Sequence, residues 1–214
     1  KRQTLDPSKL ADPYSEKEKK NAISEYARML EVKEKMGHVE IPKINQDLPI
    51  YAGTSEEVLQ KGVGHLEGTS LPVGGKGTHA VLTAHRGLPT AKLFTDLNKM
   101  KKGDVFYIHN IKEVLAYKVI DVFVVEPSDF DKVLVVEGKD YCTLLTCTPY
   151  MINSHRLLVR AERTEYNPAA VEKDLVSQVT GKYKIYLIIS LIIIAILLWY
   201  YIRQRRRKKN NEIK

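Results

Sequence analysis

The chain has 214 residues, with 43% hydrophobic and 28% charged side chains, which is typical of one folded domain with some additional segments. Its formal net charge is +8, but residues 203–214 contain seven Lys or Arg and one Glu, so the first 202 residues have a net charge of only +2. The positive charge is therefore concentrated in the C-terminal residues 203–214. Because no basic stripe with interleaved aromatic residues is found elsewhere, the composition argues against a nucleic-acid-binding role.

The first segments in chain order are predicted to be an irregular arm and a helix. Residues 1–14 contain the pairs Asp6-Pro7 and Asp12-Pro13, which favour turns. From Ser15, a residue type that caps helices, apolar side chains recur with helical spacing, which predicts a helix over residues 15–36 that ends at Gly37. The chain begins without an initiator methionine, and we expect that an N-terminal targeting or anchoring segment has been removed.

Residues 37–165 are predicted to be the main folded domain, because they contain many short apolar or alternating runs. Seven strands are predicted, at His38–Ile44, Leu48–Tyr51, His79–His85, Val105–His109, Val114–Val125, Tyr141–Cys147 and Arg156–Arg160. Short helices are predicted at Ser55–Gln60 and Ala91–Met100, and the glycine-rich residues 62–77 are predicted to form loops. Many short strands with few helices favour a mainly β fold, either a closed barrel or a sandwich.

The C-terminal segments predict a membrane anchor. Residues 166–184 are expected to be a stalk, and 185–202 form an uncharged run whose length as a helix, about 27 Å, is close to the thickness of the hydrocarbon core. Aromatic residues flank this run, and the basic residues of 203–214 follow it directly. Because the heavier basic cluster stays in the cytoplasm, the folded domain is expected on the extracellular face of the cell membrane.

Two cysteines, Cys142 and Cys147, lie in one predicted strand. At five residues apart they are expected to be roughly 16 Å from each other and to point to opposite faces, so neither a disulfide nor thiol–disulfide exchange between them is expected. Pro149 ends the ladder just after Cys147 and places that thiol at a rim, whereas Cys142 fits a buried position. Cys147 is therefore a candidate nucleophile, with an ordinary buried thiol as the alternative.

A thiol nucleophile needs a base for its proton and a donor for the oxyanion that forms during acyl transfer. His85 ends a predicted strand and is the best candidate base, although a structural histidine is the commoner case. His79 is predicted on the same face, and His155 is near Cys147 in sequence. Arg156 opens a strand after a tight connection, so a hairpin is expected to return its guanidinium beside the thiol; a surface ion pair is the alternative.

The residues around these candidates resemble the motifs of sortases. The similar segments are Gly64–Gly75, which resembles a signature of the pilus-building class C members, Leu82–Arg86, which resembles the catalytic-histidine stretch, and Thr143–Arg160, which resembles the active-site stretch. The resemblance covers about residues 12–163. It implies a closed eight-stranded sortase-type β-barrel in which Cys147 is the nucleophile, His85 the acid/base and Arg156 the oxyanion or substrate-positioning group.

The same resemblance implies an activity. Sortases cleave an LPxTG-like sorting signal between Thr and Gly and transfer the acyl group to an amine, which in the pilus class is a lysine of the next pilin subunit. The implied enzyme is thus a cysteine transpeptidase with pilin subunits as partners and no cofactor or metal. A housekeeping sortase that attaches proteins to the cell wall, and a non-enzymatic adhesin domain on a membrane stalk, are the alternatives.

The N-terminal arm contains Asp12, Pro13 and Tyr14, which resemble the lid motif of class C sortases. In that motif an aromatic ring covers the thiol and the Asp pairs with the catalytic Arg. Many such lids have Trp or Phe at the position of Tyr14. A contact between a ring and sulfur contributes about 0.3–1.5 kcal/mol, which is small enough for a bound peptide to displace. An ordinary Asp-Pro turn is the alternative.

Overall fold

Residues 35–168, 183, 186–201 and 203 are the part of the chain that the computed structural model describes. The predicted arm at residues 1–14, with its lid motif, and most of the predicted helix at residues 15–36 lie outside this part. The chain divides into two units, Lys1–Tyr166 and Asn167–Lys214.

The described residues of the first unit form eight strands and one short α-helix. In chain order these are β1 (Lys35–Ile41), β2 (Gln46–Ala52), α1 (Glu56–Lys61), β3 (Val63–His65), β4 (Thr78–Thr83), β5 (Val105–Asn110), β6 (Val114–Val125), β7 (Asp140–Thr148) and β8 (His155–Thr164). The strands close into a barrel in the order β1-β2-β3-β4-β7-β8-β6-β5. The mainly β fold and the closed eight-stranded barrel are therefore confirmed.

Two pairs of neighbouring strands are parallel, namely β2 with β3 and β4 with β7. A parallel pair cannot be joined by a tight turn, because the chain must return to the end of the sheet at which the first strand began before it enters the second. Helix α1 lies in the short return between β2 and β3. Between β4 and β7 the return is much longer and includes β5 and β6, so residues far apart in sequence become neighbours across β4 and β7.

Strands β4, β7 and β8 are buried on both faces. Their inward side chains join the main core of the barrel, which includes Leu82, Leu144 and Val159. Their outward side chains join a second cluster, in which Val81, Leu145 and Leu158 pack against the segment between β6 and β7, including Phe130, Val133 and Leu134. Burial on both faces explains the unbroken apolar runs within these strands, Ala80–Leu82, Leu144–Leu145 and Leu157–Val159.

The N-terminal boundary of the barrel differs from the sequence prediction. Strand β1 begins at Lys35, so the predicted helix does not extend to residue 36 and Gly37 does not end it. Gly37 lies inside β1, where a Cβ atom would be 2.2 Å from the carbonyl oxygen of His109 on β5. The close approach of the two strands therefore requires glycine there.

Three further local predictions needed correction. The first predicted strand ends at Ile41 rather than residue 44, because Pro42 begins a 3-10 turn, Pro42–Ile44. The helix predicted at residues 91–100 is reduced to a 3-10 turn at Leu97–Lys99. Strand β3 lies in the glycine-rich stretch that was predicted to be loop. The other short helix is present as α1, one residue further along than predicted.

In the second unit, residues 186–201 are helical. They lie within the predicted membrane span, whose end residues 185 and 202 are outside the described part. Among the described residues, no helix combines the length and the apolar character needed to cross a membrane. The span stays a prediction, as do the stalk and the basic tail, most of whose residues are not described.

Candidate active site

Cys147 and Arg156 are directly paired across β7 and β8. Strand β7 ends one residue after Cys147, and β8 begins one residue before Arg156. The chain between them, residues 149–154, is a tight connection, which is the geometry that the predicted hairpin requires. The thiol and the guanidinium therefore start from adjacent backbone positions at one end of the barrel wall.

His85 follows the last residue of β4 by two positions. The backbone N–H of Ala84 donates to the carbonyl oxygen of Leu145 at 3.3 Å, and the hydroxyl of Thr146 donates to the carbonyl oxygen of Ala84 at 2.7 Å. The parallel register of β4 and β7 therefore continues past the end of β4. Continued by one more residue, the same register would set His85 opposite Cys147.

The three candidates also share a face. Side chains an even number of residues apart lie on the same side of a strand. His85, Cys147 and Arg156 are at even spacing from Val81, Leu145 and Leu158, which all belong to the outward cluster. We call the end of this outward face at Cys147 the reactive end. The structure thus brings the sulfur and the guanidinium to one face of two adjacent strands, and the continued register of β4 and β7 assigns the imidazole of His85 to the same face.

The two cysteines have different environments, and both are free thiols. Cys142 is 0% exposed and belongs to the main core, whereas Cys147 is on the outward face with 6% of its surface exposed. Burial raises the pKa of the Cys142 thiol well above its ordinary value, and the negative charge of Asp140 raises it further. Cys142 is therefore a neutral core residue, which leaves Cys147 as the candidate nucleophile.

Arg156 orders the connection that follows the thiol. Its Nη1 donates to the carbonyl oxygens of Asn153 at 2.9 Å and His155 at 3.1 Å. Arg160, four residues later on the same face, has other partners: it donates to Asp121 at 2.9 Å, and its guanidinium lies 4.9 Å from the ring centroid of Phe123. Arg160 thus forms a structural ion pair with Asp121, while Arg156 is paired across the strands with Cys147.

The other histidines considered from the sequence are held elsewhere. His79 is fully buried, its Nδ1–H donates to the carbonyl oxygen of Leu134, and its Nε2 accepts from the hydroxyl of Thr143 at 2.7 Å. Burial lowers the pKa of His79 to about 4, so the ring stays neutral inside the protein. His155 pairs instead with Glu126, at 3.1 Å. Neither His79 nor His155 has the position of His85 next to the thiol.

Sequence reasoning did not single out Arg86, which connects the two reactive strand ends. Its Nε donates to the carbonyl oxygen of Thr95 at 3.1 Å, and its Nη1 donates to the hydroxyl of Thr148 at 3.0 Å. The residue after His85 is therefore hydrogen-bonded to the residue after Cys147. Gly87 has a φ of +93°, and a Cβ there would lie 2.9 Å from the ring of Tyr150, so glycine lets the two loops meet.

Glu56, the first residue of α1, was also missed. Its Oε1 lies 3.2 Å from Nε2 of His85, although the two residues are 29 positions apart in sequence. A glutamate in the first turn of a helix is common for reasons of helix stability, so its sequence context gave no functional signal. The contact between this carboxylate and the imidazole is seen only in the folded structure, where α1 lies near the end of β4.

Comparison with known proteins identifies the barrel. Residues 39–164, more than half of the chain, match the sortase domain. The chain belongs to the sortase family. Its barrel is similar to the crystal structure of sortase C-1 from Streptococcus pneumoniae, with 69% sequence identity and a TM-score of 0.68 over 73% of this chain and 80% of the other. The pilus-related sortase C of group B Streptococcus is 60% identical, with a TM-score of 0.69 over 76% of this sortase and 82% of that one.

More distant sortases show lower identity. Sortase A of Bacillus anthracis is 34% identical over 135 residues, which are 62% of this chain and 61% of that protein. The chain therefore matches about three fifths of that relative's length. The resemblance to class C sortases is confirmed.

Proposed function

We propose that this sortase polymerises pilin subunits by transpeptidation at Cys147. The proposal is supported by the direct pairing of Cys147 with Arg156 and by the continuation of the β4–β7 register toward His85 at the reactive end of the barrel. The identity to sortase C structures, 60% and 69%, is much higher than the 34% identity to a sortase A, which favours the pilus class over a housekeeping role. The substrate class is an LPxTG-like sorting signal on a pilin.

The chemistry follows from the three groups. The Cys147 thiolate attacks the carbonyl carbon of the Thr–Gly bond, and the Arg156 guanidinium stabilises the oxyanion of the tetrahedral intermediate. The imidazolium of His85 protonates the leaving glycine amine, which breaks the C–N bond and leaves a thioacyl group on Cys147. A lysine amine of another pilin then attacks this thioester, His85 accepts its proton, and the thiolate leaves as the isopeptide bond forms.

The direct test incubates the full chain with an LPxTG peptide and, separately, with a pair of pilins, one with the sorting signal and one with the acceptor lysine. Intact-mass spectrometry is expected to show an acyl adduct on Cys147 and a new pilin–pilin isopeptide bond, both absent with Cys147→Ala. An adduct that is transferred to a cell-wall amine but not to a pilin lysine would favour the housekeeping role. No adduct at all would contradict the proposed function.

The location of the reaction is also a proposal. The uncharged run at residues 185–202 and the basic residues that follow it support an enzyme anchored in the cell membrane, with the barrel on the extracellular face and the tail in the cytoplasm. Treatment of intact cells with a membrane-impermeant protease is expected to degrade the barrel and spare an epitope tag added after Lys214. Degradation of the tag in intact cells would contradict this orientation.

A lid formed by Asp12, Pro13 and Tyr14 is a further part of the proposal. It is supported by the resemblance of these residues to the class C lid motif and by the low exposure of Cys147, 6%. Asp12→Ala and Tyr14→Ala are expected to increase the rate of labelling of Cys147 by a maleimide severalfold, because the contacts to be displaced are weak. Labelling rates equal to that of the wild-type protein would argue against a lid.

A further inference from the structure

The imidazole of His85 has a carboxylate partner on a separate element. Nε2 of His85 lies 3.2 Å from Oε1 of Glu56, and the same oxygen accepts a hydrogen bond from the amide nitrogen of Gln60 at 3.0 Å. Gln60 lies one helical turn after Glu56, so α1 itself orients the carboxylate. The side chain of Glu56 is 55% exposed and that of His85 is 21% exposed, so the pair is at the edge of the site.

The start of α1 is fixed to the barrel. The backbone N–H and the hydroxyl of Thr54 both donate to the carboxylate of Glu67, at 2.9 and 2.8 Å, and Glu67 is 7% exposed. On the other side of the pair, the carbonyl oxygen of His85 accepts from the backbone N–H of Phe94 at 3.1 Å. Glu56 and His85 therefore meet between two backbone segments that are each held by hydrogen bonds, which is a geometry suited to orienting a ring.

The chemistry of the contact determines which ring nitrogen has the proton. A carboxylate only accepts hydrogen bonds, so the neutral imidazole must present Nε2–H to Glu56. The lone pair is then on Nδ1, and Nδ1 is the atom of His85 that exchanges a proton with the thiol or the leaving amine. When the ring is protonated, the negative charge of Glu56 stabilises the imidazolium.

We infer that Glu56 is a positioning residue for the sortase reaction. It keeps the proton of His85 on Nε2, directs Nδ1 toward Cys147 and the substrate amine, and stabilises the imidazolium that protonates the leaving group. The inference rests on the proposed function for the role of His85, whereas the hydrogen bond to Glu56 is independent of it. Glu56 acts through the imidazole, to which its carboxylate is hydrogen-bonded.

Its effect on the rate is expected to be modest. Because Glu56 is more than half exposed, water screens the pair, and exposed pairs of this kind change an equilibrium by roughly two- to fivefold. We therefore expect Glu56→Gln and Glu56→Ala to lower kcat about two- to fivefold and to leave KM for the LPxTG peptide unchanged. The matched control is Glu57→Gln, which removes an exposed carboxylate from the same first turn.

The decisive measurement is a ¹⁵N spectrum of the histidine rings in the full chain, recorded at a pH where the rings are neutral, with His85 assigned from a His85→Gln variant. Wild-type and Glu57→Gln proteins are expected to show His85 as the Nε2–H tautomer. Glu56→Ala is expected to shift His85 toward a mixture of tautomers, while Glu56→Gln, whose amide oxygen still accepts, is expected to keep the tautomer but lose rate. The same spectra show whether each variant is folded.

Each result bears on the inference. A mixed tautomer in Glu56→Ala together with a lower kcat supports it. An unchanged His85 spectrum in Glu56→Ala, or a loss confined to KM, overturns it, because Glu56 would then be a substrate contact or a surface residue. If wild-type protein forms no adduct but its His85 tautomer depends on Glu56, the proposed function fails and the hydrogen bond to the imidazole stands.

Discussion

The outward face of β4 and β7 contains a histidine near each end, and the two behave differently. At the end away from Cys147, His79 is fully buried and uses both ring nitrogens, one toward Leu134 and one toward Thr143. At the reactive end, His85 keeps 21% of its side chain exposed and presents Nε2 to Glu56. The same residue type is a neutral part of the core in one place and available for proton transfer in the other.

The arginines of β8 repeat this contrast. Arg160 is fixed by Asp121 and by the ring of Phe123, whereas Arg156 donates to backbone carbonyls of the loop beside Cys147. Position along the strand explains the difference. Arg160 lies mid-strand and has side-chain partners on the neighbouring strand β6, while Arg156 lies at the strand start and bonds to the backbone of the connection it adjoins.

The largest expected difference between the two regions concerns the cysteines. Cys147→Ala is expected to reduce adduct formation by at least about a thousandfold, because no other group supplies the nucleophile. Cys142→Ala is expected to keep most of the activity and to lower the free energy of unfolding by about 1 kcal/mol, since it leaves a small cavity in the core. Intact-mass spectrometry and urea denaturation measure the two effects. An active Cys147→Ala variant would show that Cys147 is not the nucleophile and would contradict the contrast between the two cysteines.

Substitutions of Arg156 and Arg160 are expected to affect different properties, kcat for Arg156 and the free energy of unfolding for Arg160. Arg156→Ala is expected to lower kcat by roughly 100- to 1,000-fold, which is the usual cost of losing an oxyanion donor. Arg160→Ala is expected to change kcat only slightly but to lower the free energy of unfolding by up to about 1 kcal/mol, because water screens the pair with Asp121, whose side chain is 43% exposed. Peptide turnover and denaturant titration test this. Similar kcat losses in both variants would show that the two arginines share one role.

The buried histidines predict a loss of stability in acid. Burial lowers the pKa of His65 and of His79 to about 4, whereas an unfolded histidine titrates near 6.5. Below pH 6.5 the unfolded state therefore binds more protons, and the free energy of unfolding should fall as the pH drops from 6.5 toward 4, by up to about 3 kcal/mol for each histidine. Urea titrations across this range measure the slope.

A variant isolates the contribution of one histidine. His79→Gln is expected to remove about half of the pH dependence between pH 4 and 6.5, and the part due to His65 should remain. An unchanged slope in this variant would mean that carboxylates, rather than the buried rings, control the acid sensitivity.

The smallest expected effect concerns the hydrogen bond between the two reactive strand ends. Thr148→Val keeps the shape of the side chain but removes the acceptor of Arg86. We expect kcat to fall about two- to fivefold with little change in stability, since a single hydrogen bond to a charged group near the surface contributes little to the overall fold. Thr143→Val, which removes the hydroxyl beside His79, is the matched control and should lower stability rather than kcat.

Much of the barrel was predictable because its strands are apolar or alternating runs in the sequence. Strand β6 has the predicted bounds, and β7 and β8 exceed theirs only at the ends. Strand β3 was missed because it is three residues long, contains Gly64 and is held by pairing with β2 and β4 rather than by any local preference. The predicted helix at residues 91–100 is interrupted at Leu93, whose φ of +38° lies outside the right-handed helical region, and only a 3-10 turn at Leu97–Lys99 forms.

The candidate site was predictable only where sequence and geometry coincide. Cys147 and Arg156 are joined by one hairpin, and the motif around His85 is distinctive, so all three were named from the sequence. Glu56 was not, because its contact with His85 depends on the position of α1 relative to the end of β4. Arg86 was seen only as part of a motif, since its bond to Thr148 requires the parallel register of β4 and β7.

The parallel neighbours β4 and β7 also govern when the enzyme becomes reactive. The 61 residues between His85 and Cys147 include two other strands, β5 and β6, so these groups meet only after most of the barrel has formed. Contacts of such long sequence separation form slowly, on a scale of about milliseconds to seconds. A newly made chain therefore has the Cys147 thiol from the start, but the assembled site forms only once β4 and β7 have paired.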